Sequence, residues 1–373
     1  MTEGRQAAAA TSTDRSRVVV AMSGGVDSSL AAALLVEKGF DVVGVTMHLA
    51  GDSSRCCSLE DADDARRVAD GLGIRFYVAN YTELFQREVI DVFADEYLAG
   101  RTPIPCVACN KRFKFDYLME RAGIFGAEGV ATGHYARIVR NSANGNFELR
   151  RPRDLEKDQT YFLFQLDQAQ LSKTLLPLGE LTKQEVRDHA RTLGLATADK
   201  PESQEICFVP DGDYAATVEK IRPEARRLGG EIVDGRGMVL GRHGGVHRFT
   251  VGQRHGLGIS SHQRLYVTRL DAKARQVVVG SKDELGAEGA EVSSVNWVAD
   301  KVPSEPVRAK VQVRHRHSGA NATLYPLPEN AVRIEFDEPV QAVSPGQAAV
   351  FYEALQGEDD LGERVLGGGW IRA

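Results

Sequence analysis

The sequence predicts an α/β protein with a mostly parallel N-terminal sheet, followed by a small central domain and an all-β C-terminal domain. Three observations carry this. A β-branched run, a glycine turn, an alanine-rich helix and a second β-branched run follow one another within about thirty residues, the length of a βαβ unit. Helical and strand periods then alternate as far as Thr132. Beyond about Tyr214 the texture becomes short β-type runs between glycine turns, and after about Leu285 it reads as β throughout.

In order, Arg17–Met22 (RVVVAM) is a buried strand, Leu30–Lys38 an alanine- and leucine-rich helix closed by Gly39, and Asp41–Met47 a second buried strand. Leu59–Leu72 is a charged amphipathic helix, Ile74–Val78 a strand, Leu84–Leu98 and Arg112–Arg121 helices, and Gly129–Thr132 a strand. In the middle segment Gly237–Gly241, Val246–Val251, Leu265–Asp271 and Gln276–Gly280 are expected strands. Val307–His315, Asn321–Tyr325, Ala331–Phe336 and Gln347–Tyr352 follow, at the turn-bounded spacing of a barrel or sandwich.

The chain has 373 residues, 42% hydrophobic and 26% charged, which is enough apolar content for two or three packed domains. No run of about eighteen apolar residues is present, so no membrane helix is expected. The opening MTEGRQAAAATSTDRSR lacks a basic start followed by an apolar core, so residues 1–16 read as a flexible tail and a cytoplasmic location is expected. A net charge of −6 argues against a uniformly basic nucleic-acid coat but permits a local basic face. Five cysteines are too few for a disulfide scaffold and point to chemical or metal-binding use.

Chemistry concentrates first in SGGVDSS, Ser23–Ser29, between a strand and a helix. Adjacent glycines let backbone N–H groups close on an anion, the helix start adds a positive dipole end, and Ser28 and Ser29 offer hydroxyls. Asp27 is suited to hold Mg²⁺ against phosphates. Neither a Walker loop nor G-x-G-x-x-G is present.

SGGVDSS resembles the pyrophosphate loop of N-type ATP pyrophosphatases, which cleave ATP to AMP and pyrophosphate. RTPIPCVACNKRFKF (Arg101–Phe115), ATGHYAR (Ala131–Arg137), KDQTYFL (Lys157–Leu163), DKPESQEICFVP (Asp199–Pro210) and TVGQRHGLGI (Thr250–Ile259) extend the likeness. Together they resemble the tRNA-specific 2-thiouridylases, sulfurtransferases that make 2-thiouridine at the anticodon wobble position. The resemblance implies a catalytic ATP pyrophosphatase-type domain over 17–212, a central domain over 213–281 and a C-terminal β-barrel over 282–373.

It also implies residue roles. Cys109 matches the family nucleophile and Cys207 the cysteine that carries a persulfide. ATP contacts fall on Ala21, Met22, Ser23, Gly24, Gly25, Val26, Asp27, Ser28, Met47 and Gly133. The target-base segment falls on Ile104, Pro105 and Cys106, and tRNA contacts on Lys157, Asp158, Gln159, Arg314 and His315. Ile104 replaces the family's usual Asn, removing an amide near the base. The partners implied are the anticodon arm of tRNA and a protein that donates persulfide sulfur; the cofactors are ATP and Mg²⁺.

The chemistry needs two thiols. Adenylation turns a poor leaving oxygen into AMP, a persulfide sulfur attacks the activated carbon, and a second thiol resolves the S–S bond, which would leave a Cys109–Cys207 disulfide unless something else reduces the persulfide. Cys56 and Cys57 precede a helix and read equally well as packing residues, and His134 as a structural or nucleotide-side residue. Arg308, Lys310, Arg314 and Arg316 lie in an acid-free stretch, either a phosphate-contacting strand face or a solvated one. Two other readings stand beside the thiolase: an amide-forming ATP pyrophosphatase, and an RNA-binding module with a zinc or iron–sulfur site on its cysteines. A cluster on Cys106, Cys109 and Cys207 within a thiolase is compatible with the spacing.

Overall fold

Strand Arg17–Ala21 forms because four consecutive residues, Val18 to Ala21, are buried between two layers of helix. It is the middle of a five-stranded parallel sheet, flanked on one side by Asp41–His48 and then Arg75–Asn80, and on the other by Gly129–Ala131 and then Thr174–Leu175. The computed structural model describes residues 16–50, 59–202, 206–209, 211–299, 301–354 and 362–372. Cys56, Cys57 and all but the last residue of the expected N-terminal tail lie outside them.

Strand order reverses at Arg17–Ala21, so the loops after it and after Gly129–Ala131 diverge and leave a crevice at their carboxyl ends. Open α/β sheets bind ligands at such a switch point. The helix Val26–Glu37 leaves this crevice and buries Leu30, Ala31, Ala32 and Leu35 between the sheet and the helix Lys183–Thr192. Burying one such leucine stabilises by about 1.5–3 kcal/mol. A capping box, Thr182 with Glu185, starts the second helix and fixes where Lys183 projects.

A hairpin of Arg137–Arg140 and Phe147–Arg150, not foreseen from the sequence, lies beyond the sheet. The central region pairs Tyr266–Asp271, Gln276–Gly280, Gly230–Asp234 and Val239–His243 in that order, behind a helix, Tyr214–Ile221, capped by Asp213. The expected strand over Val246–Val251 is absent. Val246–Arg248 is a 3₁₀ turn instead, because His247 turns inward to Glu219, 3.1 Å away, rather than alternating outward.

At the C-terminus six antiparallel strands close into a barrel, resolving the choice between barrel and sandwich. Two of them, Gly286–Trp297 and Val365–Ile371, were not expected. The strand expected to run to His315 ends at Gln312, so Arg314 and Arg316 sit in the turn beyond it rather than on a strand face. Arg308 and Lys310 remain on that strand but pair with Asp337 and Glu363. No helix among the described residues is long and apolar enough to cross a membrane.

Candidate active site

The switch-point crevice is a cavity of about 380 Å³. Its floor is the SGGVDSS loop. Gly24 has φ +71°, and a Cβ there would lie 2.2 Å from the Asp61 carbonyl oxygen, so only glycine fits. Ser28 Oγ accepts from the Ser23 backbone N–H at 3.1 Å and donates to the Gly25 carbonyl, folding the loop on itself at the helix start. Gly133 presses against this loop: a Cβ there would stand 2.7 Å from both the Asp27 carbonyl carbon and the Ser28 nitrogen. Ala21, Met22, Ser23, Gly25, Val26, Asp27, Ser28, Met47 and Gly133 all line the cavity, whereas Gly24 shapes it from behind. Backbone N–H groups at a helix start, with glycines where side chains would intrude, form an anion cradle.

A chain of charges closes one wall. Lys183 Nζ lies 2.7 and 2.8 Å from the two Asp27 carboxylate oxygens and 2.8 Å from Glu202, and Lys157 reaches the other Glu202 oxygen at 2.8 Å. Tyr135 donates to Asp27 at 2.8 Å. Burial works to raise the Glu202 pKa, but hydrogen bonds and charge from Lys157 and Lys183 outweigh it and bring the carboxyl down to about 2. Burial and the Asp27 carboxylate together push the Tyr135 phenol up, so it stays a donor. Lys200 is likewise spent on Asp61 and Asp64.

Both expected cysteines line the same cavity, and one aromatic hub positions them. Phe85 packs edge-on against Phe113, at 5.3 Å on the helix carrying Cys109, and against Phe208, at 6.0 Å beside Cys207. Phe93 holds Phe208 from the other side at 5.1 Å. Edge-to-face rings of this kind fix geometry as well as burying area. Cys106, Cys109 and Cys207 are each half-buried. The helix leaving Cys109 is a π-helix over Cys109–Tyr117, and such turns gather at functional sites. Its wide period turns Asn110 and Lys114 toward the cavity, and Asn110 donates to the Phe162 carbonyl at 3.2 Å.

The cavity opens into a cleft of about 1440 Å³ walled by all three parts of the chain. Ile104, Pro105, Cys106, Lys157, Asp158, Gln159 and His315 line it, and Pro105, Cys106, Lys157 and Gln159 face both spaces. The His315 ring sits 4.5 Å from Phe162, tying the barrel to the Lys157–Gln159 segment. Asp158 turns its carboxylate inward to Thr160 and Arg151. Arg314 lies outside the lining and donates to the Gln341 carbonyl at 3.0 Å, whereas Arg316 lines the cleft. At the junction of the two spaces, Lys114 is 3.4 Å from His134 Nε2, and Thr132 Oγ1 is 2.7 Å from Nδ1. Burial, reinforced by the Lys114 charge, holds His134 well below its ordinary range. The ring is therefore neutral: Nε2 accepts from Lys114 and Nδ1–H donates to Thr132.

Lys183, Tyr135, Glu202 and the Phe85 hub were missed in the sequence. The local signals were the capping box before Lys183 and the motifs ATGHYAR and DKPESQEICFVP, which contain Tyr135 and Glu202. Among the described residues no group of three His, Cys, Asp or Glu side chains converges to hold a metal ion. Cys106, Cys109 and Cys207 thus form no such group, and the Asp27 carboxylate on the loop is held by Lys183 and Tyr135.

Family models match the whole described architecture: the tRNA methyl transferase HUP domain over residues 16–211, the tRNA methyl transferase PRC-barrel domain over 216–281, and the aminomethyltransferase β-barrel domain over 288–371. The tRNA-specific 2-thiouridylase of Solibacter usitatus is 51% identical, over 95% of this chain and 98% of that protein. That of Geobacter metallireducens is 51% identical over 96% and 97%. Among solved structures, the U34-tRNA thiolase NcsA from Methanococcus maripaludis aligns at TM-score 0.34 and 19% identity, over 56% of this chain and 67% of that one, too slight a likeness to build on. Near-complete coverage at about half identity, with all three domain models in order, leaves one conclusion: the chain belongs to the tRNA-specific 2-thiouridylase family.

Proposed function

We propose that this protein is a cytoplasmic tRNA-uridine 2-sulfurtransferase that adenylates the C2 oxygen of the wobble uridine with ATP and replaces it with sulfur from a Cys207 persulfide. One observation carries the reading: the phosphate loop, Cys109 and Cys207 line a single cavity that opens into a cleft large enough for a splayed anticodon base. An amide-forming relative would need the cradle but not the two cysteines beside it.

In this reading ATP lies with its phosphates on Ser23–Ser28 and its adenosine toward Ala21, Met22 and Met47. Once released from Lys183, the Asp27 carboxylate would hold Mg²⁺ carried by the phosphates, which would neutralise their charge. The target uridine enters past Ile104, Pro105 and Cys106 while Lys157, Gln159, His315 and Arg314 steady the anticodon arm, with Asp158 bracing the segment. Uracil O2 attacks the α-phosphorus and pyrophosphate departs with the bonding electron pair, so the C2 oxygen becomes part of a good leaving group. The terminal sulfur of a Cys207 persulfide, loaded by a donor protein, attacks C2 and AMP leaves. Cys109 thiolate then attacks Cys207 Sγ, freeing the thiocarbonyl sulfur and forming a Cys109–Cys207 disulfide, which an external dithiol must reduce.

Nucleoside analysis of tRNA after incubation with ATP, Mg²⁺ and a persulfide source tests this. The expected products are 2-thiouridine, AMP and pyrophosphate in equal amounts. ADP and phosphate instead, or AMP release that depends on ammonia and not on tRNA, would overturn it.

A further inference from the structure

Four lysines line the nucleotide cavity, and three are neutralised. Lys183 is held by Asp27 and Glu202, Lys157 by Glu202, and Lys200 by Asp61 and Asp64. Lys114 differs. Among the described residues it has no carboxylate partner; its contact is the His134 imidazole at 3.4 Å, a neutral acceptor that orients the ammonium without cancelling its charge. It also lines both the nucleotide cavity and the open cleft. The π-helical turn explains how. Lys114 is five residues after Cys109, a spacing an α-helix would set about 140° apart but an i→i+5 turn brings toward the same side.

We propose that Lys114 is a catalytic residue of this site, the cation that neutralises the α-phosphate as its bond to the uracil oxygen forms and again as AMP leaves. This rests on the thiolase reading above. In the first step the O2–Pα bond forms, the bond from Pα to the pyrophosphate oxygen breaks, and the N3 proton passes to water. In the second the S–C2 bond forms and the C2–O bond breaks, with AMP taking the electron pair. Lys114 gains and loses no proton in either step. Both place charge on the non-bridging α-phosphate oxygens where the two spaces meet. A cation without a competing carboxylate stabilises that charge without prior rearrangement. The loop glycines and the helix start hold the remaining phosphates, so ground-state ATP binding does not depend on Lys114.

The test compares wild type with Lys114→Met, Lys114→Gln and Lys114→Arg in single-turnover adenylation of tRNA, using ATP and the two diastereomers of α-thio-ATP. Lys114→Met and Lys114→Gln are expected to lose about 10²–10³ in adenylation rate, the usual effect of removing one charge-stabilising donor, while ATP affinity changes by less than about threefold. Wild type is expected to prefer one α-thio diastereomer, and the two neutral variants to lose that preference. Lys114→Arg keeps the charge and is expected to keep both the preference and a rate within about tenfold of wild type. Neutral variants with wild-type rates, or slowed variants that keep the diastereomer preference, overturn the assignment. A wild-type protein that releases no AMP and pyrophosphate with tRNA overturns the thiolase reading itself, and that result is read before any variant is compared.

Discussion

Lys183 grips both carboxylate oxygens of Asp27, at 2.7 and 2.8 Å, across 156 positions of sequence. The contact joins the first turn of the helix after the phosphate loop to the first turn of the helix that packs beside it. It fixes the orientation of the aspartate at the cavity wall. Lys183→Met is expected to weaken ATP binding by about tenfold to a hundredfold, since hydrogen bonds to charged groups contribute about 1.5–3 kcal/mol. Titration calorimetry with ATP and Mg²⁺ checks this; an unchanged affinity would leave the ion pair a structural role only.

Glu202 joins Lys157 to Lys183, and its carboxyl is drawn from 4.5 to about 2. A carboxylate depressed on folding contributes stability that is fully present above the unfolded pKa and lost as pH falls through the folded one. Glu202→Gln should therefore cost about 1–2 kcal/mol above pH 4.5, allowing for solvent screening, and the gap from wild type should close between pH 4.5 and about 2. Urea unfolding across that range reads it; a gap that widens on acidification contradicts the sign.

Two glycines make a graded pair. At Gly133 an added methyl meets backbone at 2.7 Å, while at Gly24 it meets a carbonyl oxygen at 2.2 Å from a left-handed conformation. Gly133→Ala is expected to lower ATP affinity by about tenfold with the fold intact, and Gly24→Ala to add a stability loss of about 1–3 kcal/mol. Thermal unfolding with and without ATP separates the two effects.

The basic turn beyond Gln312 carries a salt-dependence test. If Arg314 and Arg316 meet phosphates, replacing both by Ala should reduce the log–log salt slope of tRNA binding by about one to two, with ATP binding unchanged. An unaltered slope returns the pair to an ordinary solvated turn.

What the sequence made legible was local. SGGVDSS follows a buried strand and opens a helix, so the turn into the helix start is readable within seven residues, although Asp61 and Gly133 pack against it from elsewhere in the chain. The cysteine loops were found by family resemblance, and their convergence on Phe85 depends on aromatic contacts that no spacing encodes. Lys183 and Glu202 were invisible for the same reason: each becomes functional only when distant segments pack. Val365–Ile371 was missed because three consecutive glycines lower its strand propensity, although barrel neighbours on both sides satisfy its backbone. Conversely Val246–Val251 has strand composition but lies next to Gly245, whose backbone leaves room for the His247 ring to turn inward.

The most direct test follows one isotope-labelled sulfur. Wild-type protein, Cys207→Ser and Cys109→Ser are each loaded from a persulfide donor and given ATP and tRNA for a single turnover, then read by mass spectrometry. Wild type should pass the label from Cys207 into 2-thiouridine and finish with a Cys109–Cys207 disulfide. Cys207→Ser should adenylate but carry no label, and Cys109→Ser should hold the label on Cys207 and stall with tRNA joined through the disulfide. Label that accumulates on Cys109 and never on Cys207 would reverse the two roles, and normal thiolation by both single variants would contradict the cysteine mechanism altogether.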